Sequence, residues 1–270
     1  MREIVIRSWE DLQTACFEGA WEPSVMRYRN NRVFRGVTDC RWDLLPSLNR
    51  HCPHNLGLEK HIIRNFRKYG YADLANVHSF WQLIAMGQQF GLPTRLLDWT
   101  YSPLVAAHFA TEDTNGYDRD GAIVCCDADT MNKLLPKPLR DLLIKEQCSI
   151  FSMEMVDSLA NDFSDLTKLS EQPFAFFFEP ASAINRIANQ YALFSITSDP
   201  RIIIDTLPGS QDAFTRIVIP AERKLEIRDK LDYINISERM IYPGLDGISK
   251  WIARRYAPLG PLYNTKRKDN

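Results

Sequence analysis

Between residues 80 and 111 the chain is obliged to change backbone structure repeatedly, and the residues that force each change are explicit. FWQLIAMGQQF (80–90) reads as a buried helix. Gly91, Leu92 and Pro93 must end it, because proline lacks a backbone N–H donor and disfavours helix in the residue before it. TRLLDWT (94–100) follows as a short buried strand. Ser102 is then a helix N-cap and Pro103 suits the first helical position, from which LVAAHFA (104–110) continues as a helix of small residues. A strand, a turn and a helix therefore follow one another in fewer than twenty residues.

The rest of the chain is organised around that block. Ser8 caps a short helix carrying Leu12, Ala15 and Cys16 at helical spacing, and NRVFRG (31–36) suits a strand that ends in a turn at Gly36. Leu58, Ile62, Ile63 and Phe66 recur at intervals of three and four, which marks one apolar helix face over 56–69. A polar turn at 115–120 leads to the core strand GAIVCCD (121–127). PFAFFFEP (173–180), QYALFSI (190–196) and RIVIP (216–220) read as strands, the last leading into the helix ERKLEIRDKLDYI (222–234). Residues 129–171 show only weak helical periodicity and are the place for an insertion or lid. The irregular alternation of strands and helices indicates an α+β chain rather than a doubly wound sheet.

Composition narrows the function classes. With 270 residues, 45% hydrophobic and 25% charged, the chain buries a substantial core, which excludes disorder as its main state. A formal net charge of -1 provides no overall basic field for nucleic acid or anionic membrane. No run approaches the roughly 18 to 20 apolar residues of a membrane span, and MREIVIRSWEDL lacks the apolar core of a secretory signal, so a soluble, cytoplasmic protein without membrane partners is expected. Cys16, Cys40, Cys52, Cys125, Cys126 and Cys148 form no CxxC pair and read as reduced thiols. Without repeats or linkers, residues 1–270 are expected to form one domain. The tail NTKRKDN (264–270) is a short basic terminus, more often solvated than functional.

Common enzyme signatures are missing. GxGxxG, GxxxxGK[ST], GxSxG and HExxH do not occur, which removes the sequence support for a Rossmann site, a P-loop, a nucleophile elbow and a zincin centre. His51, Cys52, His54 and His61 are spaced unlike zinc ligands, and no metal is expected.

The motifs FRG (34–36), QQFGLPTRLLDWTYSPLVAAHFA (88–110), RIANQYALF (186–194) and YPGLDGISKWI (242–252) occur in an order that resembles the FRG domain family from about residue 30 to about 252. Gln89 stands where that family block usually has His, so a role resting on histidine there does not transfer. An aromatic-Arg-Gly strand end, a strand closing in Ser or Thr before a helix ending Phe-Ala, and a later strand bearing Glu or Gln also look like the ADP-ribosyltransferase fold. This second resemblance implies a split mixed β-sheet core with flanking helices, and NAD as substrate.

It also implies roles for particular residues. Arg35, planar and always charged, would contact phosphate or ribose oxygens, or else pair with an acid such as Asp39 or Asp98. Thr100 would orient the catalytic groups, or else cap the following helix in place of Ser102. Gln190 stands where the transferases place the Glu that grips the ribose 2′-hydroxyl, and it can donate a hydrogen bond but brings no negative charge, so another carboxylate, Glu179 or Asp98, would have to compensate. Phe34, Gly36, Arg95, Asp98 and Trp99 complete the NAD-binding candidates; Trp81, like Trp99, would stack on a ring of NAD or else pack in the core, and His108 reads as a core or surface histidine. Arg95 and Asp98, three apart in an extended strand, point to opposite sides and should have different partners.

Two functions stay open on these residues. One is an NAD-dependent ADP-ribosyltransferase-like enzyme modifying RNA, DNA or protein, which the family context places among bacterial toxins or anti-phage effectors with a cognate antitoxin. The other is a non-catalytic FRG binding module that recognises nucleic acid or a partner protein.

Overall fold

A computed structural model describes residues 1–29, 31–180 and 185–257; the basic tail at 264–270 lies outside the described residues. Ten strands occur among them: β1 (Arg2–Val5), β2 (Trp21–Glu22), β3 (Arg27–Tyr28), β4 (Arg32–Val37), β5 (Leu97–Thr100), β6 (Gly121–Asp127), β7 (Phe151–Ser152), β8 (Ala175–Glu179), β9 (Ala192–Thr197) and β10 (Phe214–Ile219). Eight form one mixed sheet in the order β1-β10-β6-β4-β5-β9-β8-β7, and β2 and β3 pair as a separate ribbon. The end pairs β1 with β10 and β7 with β8 are parallel, and the ladders between them are antiparallel. The chain is thus α+β with a mixed sheet and flanking helices, as the irregular alternation indicated.

Three apolar clusters cover this sheet. On one face of its β4, β6 and β10 part, Phe34, Ile123, Cys125 and Ile217 pack against Ala106, Ala107 and Ala110, with Leu12 from the first helix and Ile227 and Leu231 from the helix Ala221–Tyr233. On the other face Val33, Val124 and Cys126 join Leu44, Trp99, Phe177 and Phe214. Beyond β9, Phe176, Phe178 and Phe194 pack against Trp81, Ile84, Phe163 and Val156. The phenylalanine run of β8 alternates between clusters, with Phe177 on one side and Phe176 and Phe178 on the other, because successive strand residues point to opposite faces. A strand buried on both faces reads as a continuous apolar run.

The caps are as expected at both early helices. Ser8 Oγ accepts from Asp11 N at 3.1 Å ahead of the helix Trp9–Phe17, and Ser102 Oγ accepts from Val105 N at 3.3 Å ahead of Pro103–Thr111. The helix Phe80–Gln89 gives way at Phe90 and Gly91, the latter with φ of +84°, a value that favours glycine. Segment 129–171, expected as an insertion or lid, is built of regular elements. It contributes the edge strand β7 and the helices Lys137–Glu146, Met153–Leu159 and Phe163–Lys168, whose Leu139, Leu143, Val156 and Leu166 fill the cluster beyond β9. Helical patterning is weak there because each helix is short and buries only a few side chains.

Candidate functional site

The sheet is nearly divided between β4 and β5. Their ladder holds the pair Phe34↔Thr100, whereas β4 and β6 stay in register from Arg32↔Asp127 to Val37↔Ala122. Beyond Phe34 the two strands diverge, and a cavity of about 810 Å³ opens in the gap, lined by Arg35 to Val37 of β4 with the adjoining Thr38, Asp98 to Thr100 of β5, Glu112, Arg186 and Gln190, among others.

Gly36 makes the strand side of this opening possible. A Cβ there would lie 2.0 Å from Ala106 O and 2.6 Å from Ala110 N, so β4 rests directly on the backbone of the helix Pro103–Thr111. The glycine therefore serves strand-to-helix packing, and the small residues Ala106, Ala107 and Ala110 are its counterpart. Phe34 is likewise buried against that helix, at the edge of the cavity it helps to line.

Arg35 reaches across the gap. Its Nη1 donates to Asp98 O at 2.6 Å and lies 3.9 Å from Asp98 Oδ2, while its Nε has no partner among the described residues. Burial lowers the Arg35 pKa, Asp98 opposes that shift and Arg50 adds to it; a guanidinium remains cationic all the same. Asp98 is half exposed and is held from its other side by Gln88, whose Nε2 donates to Oδ2 at 2.8 Å and whose Oε1 accepts from Thr94 Oγ1 at 2.6 Å. Asp39 pairs instead with Arg41, at 2.7 Å.

Thr100 and Gln190 are joined to each other. Thr100 Oγ1 donates to Gln190 O at 2.7 Å and accepts from Ser102 N at 3.0 Å, so it closes the turn that leads to the Ser102 cap and is not itself the cap. The Gln190 carboxamide donates to Ile241 O at 3.2 Å. Glu179 accepts from Tyr101 Oη at 2.6 Å and does not line the cavity.

Three aromatic and charged candidates have partners of their own. Arg95 points away from Asp98 and ion-pairs with Glu59 at 2.6 Å, stacked over Phe163 with 3.7 Å from guanidinium carbon to ring centre. It lines a second cavity, of about 630 Å³, together with Lys60, Ser164 and Arg201. The Trp99 indole is buried in the core, donating to Ser195 Oγ at 2.8 Å and lying edge-on to Phe177. Trp81 is buried too and donates to Ala160 O at 2.7 Å. Both rings belong to core clusters, and of the two residues Trp99 also lines the main cavity.

The residues that the sequence reading passed over are Glu112 and the groups behind it. Glu112 lines the cavity and its Oε2 accepts from Tyr242 Oη at 2.7 Å. His108, one turn earlier, is 0% exposed; its Nε2 lies 3.4 Å from the same Oε2, and its Nδ1 meets Nη1 of the fully buried Arg228 at 2.6 Å. Because Arg228 can only donate, Nδ1 accepts and the ring proton sits on Nε2, toward Glu112. Burial lowers the His108 pKa, which keeps the ring neutral. Burial acts to raise that of Glu112, but the polar contacts of His108 and Tyr242 outweigh it, and the carboxyl stays ionised. Spacing of four between His108 and Glu112 was the one signal of this arrangement in the sequence, and Tyr242 is too distant along the chain to be linked to it.

Fold and cleft together define an α+β chain with a split mixed sheet and an arginine set in the gap. Residues 30–119 match the sequence model of the FRG domain family. The match takes in Arg35, Thr100, His108 and Glu112 and stops short of Gln190 and Tyr242, so the resemblance read over about 30–252 is matched in its first part. No curated protein and no solved structure matches the chain. No helix among the described residues is long and apolar enough to cross a membrane.

Proposed function

We propose that the chain is an NAD-dependent ADP-ribosyltransferase-like enzyme acting on a macromolecule. The observation that supports this reading is convergence. Arg35 on β4, Thr100 at the end of β5 and Gln190 just ahead of β9, beside three neighbouring strands, line one cleft where β4 and β5 part. Its volume of about 810 Å³ lies in the range of small-molecule and cofactor sites. Arg35 lines this cleft and donates from Nη1 to Asp98 O, and a guanidinium suits a pyrophosphate, whose oxygens accept hydrogen bonds in its plane.

Incubating the purified protein with NAD labelled in its adenylate half, together with protein, RNA and DNA fractions, tests the reading. Nicotinamide release and label in one fraction are expected, both lost in Arg35→Ala with an unchanged circular dichroism spectrum. The second reading, a binding module, is favoured by Gln190, whose carboxamide is engaged with Ile241 O and carries no charge. It predicts ligand binding that Arg35→Ala abolishes, with no nicotinamide released by either form.

A further inference from the structure

We infer that Glu112 is the carboxylate of this cleft, supplying the negative charge that Gln190 lacks, with Tyr242 and His108 as positioning residues. The inference rests on the transferase reading and adds a catalytic residue to it. The argument is one of elimination followed by construction.

Of the other acids on the cavity, Asp98 is held by Gln88 and faces Arg35, and Asp113 Oδ1 accepts from Asn115 N at 3.0 Å as the cap of the next turn. Asp43 is an exposed loop side chain, so its charge is screened by solvent. Glu112 differs in having a structure built to hold it. Its side chain is 33% exposed, Oε2 is taken by Tyr242 at 2.7 Å and faced by His108 at 3.4 Å, and Oε1 receives no hydrogen bond from the described residues. Behind His108 stands Arg228, which is 0% exposed and ion-paired with Glu238 at 2.5 Å. Arg228 meets His108 Nδ1 and His108 Nε2 faces Glu112, so a line of buried polar contacts ends at a carboxylate on the cleft. Tyr242 is also stacked by Arg186, another cavity residue, at 5.1 Å, which ties the positioning residue to the same wall.

In the step this assigns, the bond between the nicotinamide nitrogen and the anomeric carbon breaks with both electrons passing to the nitrogen. Nicotinamide leaves neutral and the ribose carries the positive charge, for which Glu112 is the counter-ion. The acceptor's lone pair then closes on the same carbon, and its proton passes to the Glu112 carboxylate and on to solvent. A charge already held in place stabilises such a cation more than bulk water does, because no dipoles have to reorient as the cation forms.

The test measures nicotinamide release and NAD affinity in parallel for the wild type, Glu112→Gln, Glu112→Asp and Tyr242→Phe, with thermal midpoints recorded for each. Glu112→Gln keeps an oxygen for Tyr242 and should lower turnover by about a hundredfold or more, leave NAD affinity within about threefold and melt as a folded protein. Tyr242→Phe should lower kcat by about tenfold with KM unchanged, and Glu112→Asp should fall between. A wild type that is active and a Glu112→Gln variant that is equally active would overturn this inference and leave the transferase reading standing. A folded Glu112→Gln variant that loses NAD affinity as steeply as turnover would overturn it too, since the group would then be a binding or structural one. A wild type that neither binds NAD nor releases nicotinamide overturns the transferase reading, and this inference with it.

Discussion

Phe34 and Thr100 form the register pair that joins β4 to β5, and the polar cleft begins at the next residue of β4. The same Thr100 hydroxyl ties that junction to Gln190 O and Ser102 N. Sheet continuity, the strand-to-helix turn and the position of Gln190 therefore depend on one buried side chain. Replacing it isolates their contribution: Thr100→Val leaves a buried carbonyl and a buried amide without partners and should cost about 1–3 kcal/mol, read as a lower urea midpoint. Thr100→Ser should recover most of the loss.

At Gly36 the expected cost is larger. A methyl group there meets backbone atoms at 2.0 and 2.6 Å, which no rotamer change relieves. Gly36→Ala should destabilise the chain by about 3 kcal/mol or more, because β4 or the helix Pro103–Thr111 must shift as a unit. The check is equilibrium unfolding, and a variant as stable as the wild type would show that the strand and helix are not in direct contact.

Arg95 provides a control for the site assignment. It is buried against Glu59 and Phe163, away from the main cleft. Burial, partly offset by Arg95, already pushes the Glu59 pKa up, so Arg95→Met should strand that carboxylate and cost about 3–5 kcal/mol. Activity per folded molecule should be unaffected, in contrast to Arg35→Ala.

Acid sensitivity should report the buried pair at Glu238. Burial acts to raise its pKa from 4.5, but Arg254 and Arg228 overcome this and hold it down at about 2. A carboxylate whose folded value is depressed contributes stability that is fully present above its unfolded value and is lost as pH falls toward the folded one. The wild type should lose stability between about pH 4.5 and 2 more steeply than Glu238→Gln, measured by urea midpoints across that range.

The thiols divide by environment. Burial pushes Cys16 and Cys125 up to about 12 and Cys126 well above its ordinary value. At pH 8 these three should resist iodoacetamide in the folded protein, while the partly exposed Cys40, Cys52 and Cys148 react first. Mass spectrometry of the labelled peptides before and after denaturation distinguishes the two groups.

Local features were legible in the chain. Ser8 and Ser102 are capping residues wherever a helix begins beside them, and Gly91 and Pro93 stop a helix by backbone chemistry alone. The strand β6 follows directly from its unbroken apolar run, and β8 and β9 from theirs to within a few residues. By contrast β1 and β7 were not legible, since Arg2–Val5 is mostly exposed and Phe151–Ser152 is two residues long; each is a strand because a neighbour offers it a free edge.

For the candidate site, the sequence determined which chemistry was on offer: an arginine beside a glycine at a strand end, a threonine before a capped helix, and a glutamine ahead of a later strand. Which of those groups meet was decided by tertiary structure. Arg95 and Asp98 are three residues apart and serve different cavities, whereas Glu112 and Tyr242 are hydrogen-bonded although 130 positions separate them. The reason is physical: spacing along a strand or helix sets the direction a side chain takes, but its partner is whatever the packed sheet and helices bring to that side. At Glu112 that partner arrives with the final helices, docked through the buried Arg228 and Glu238.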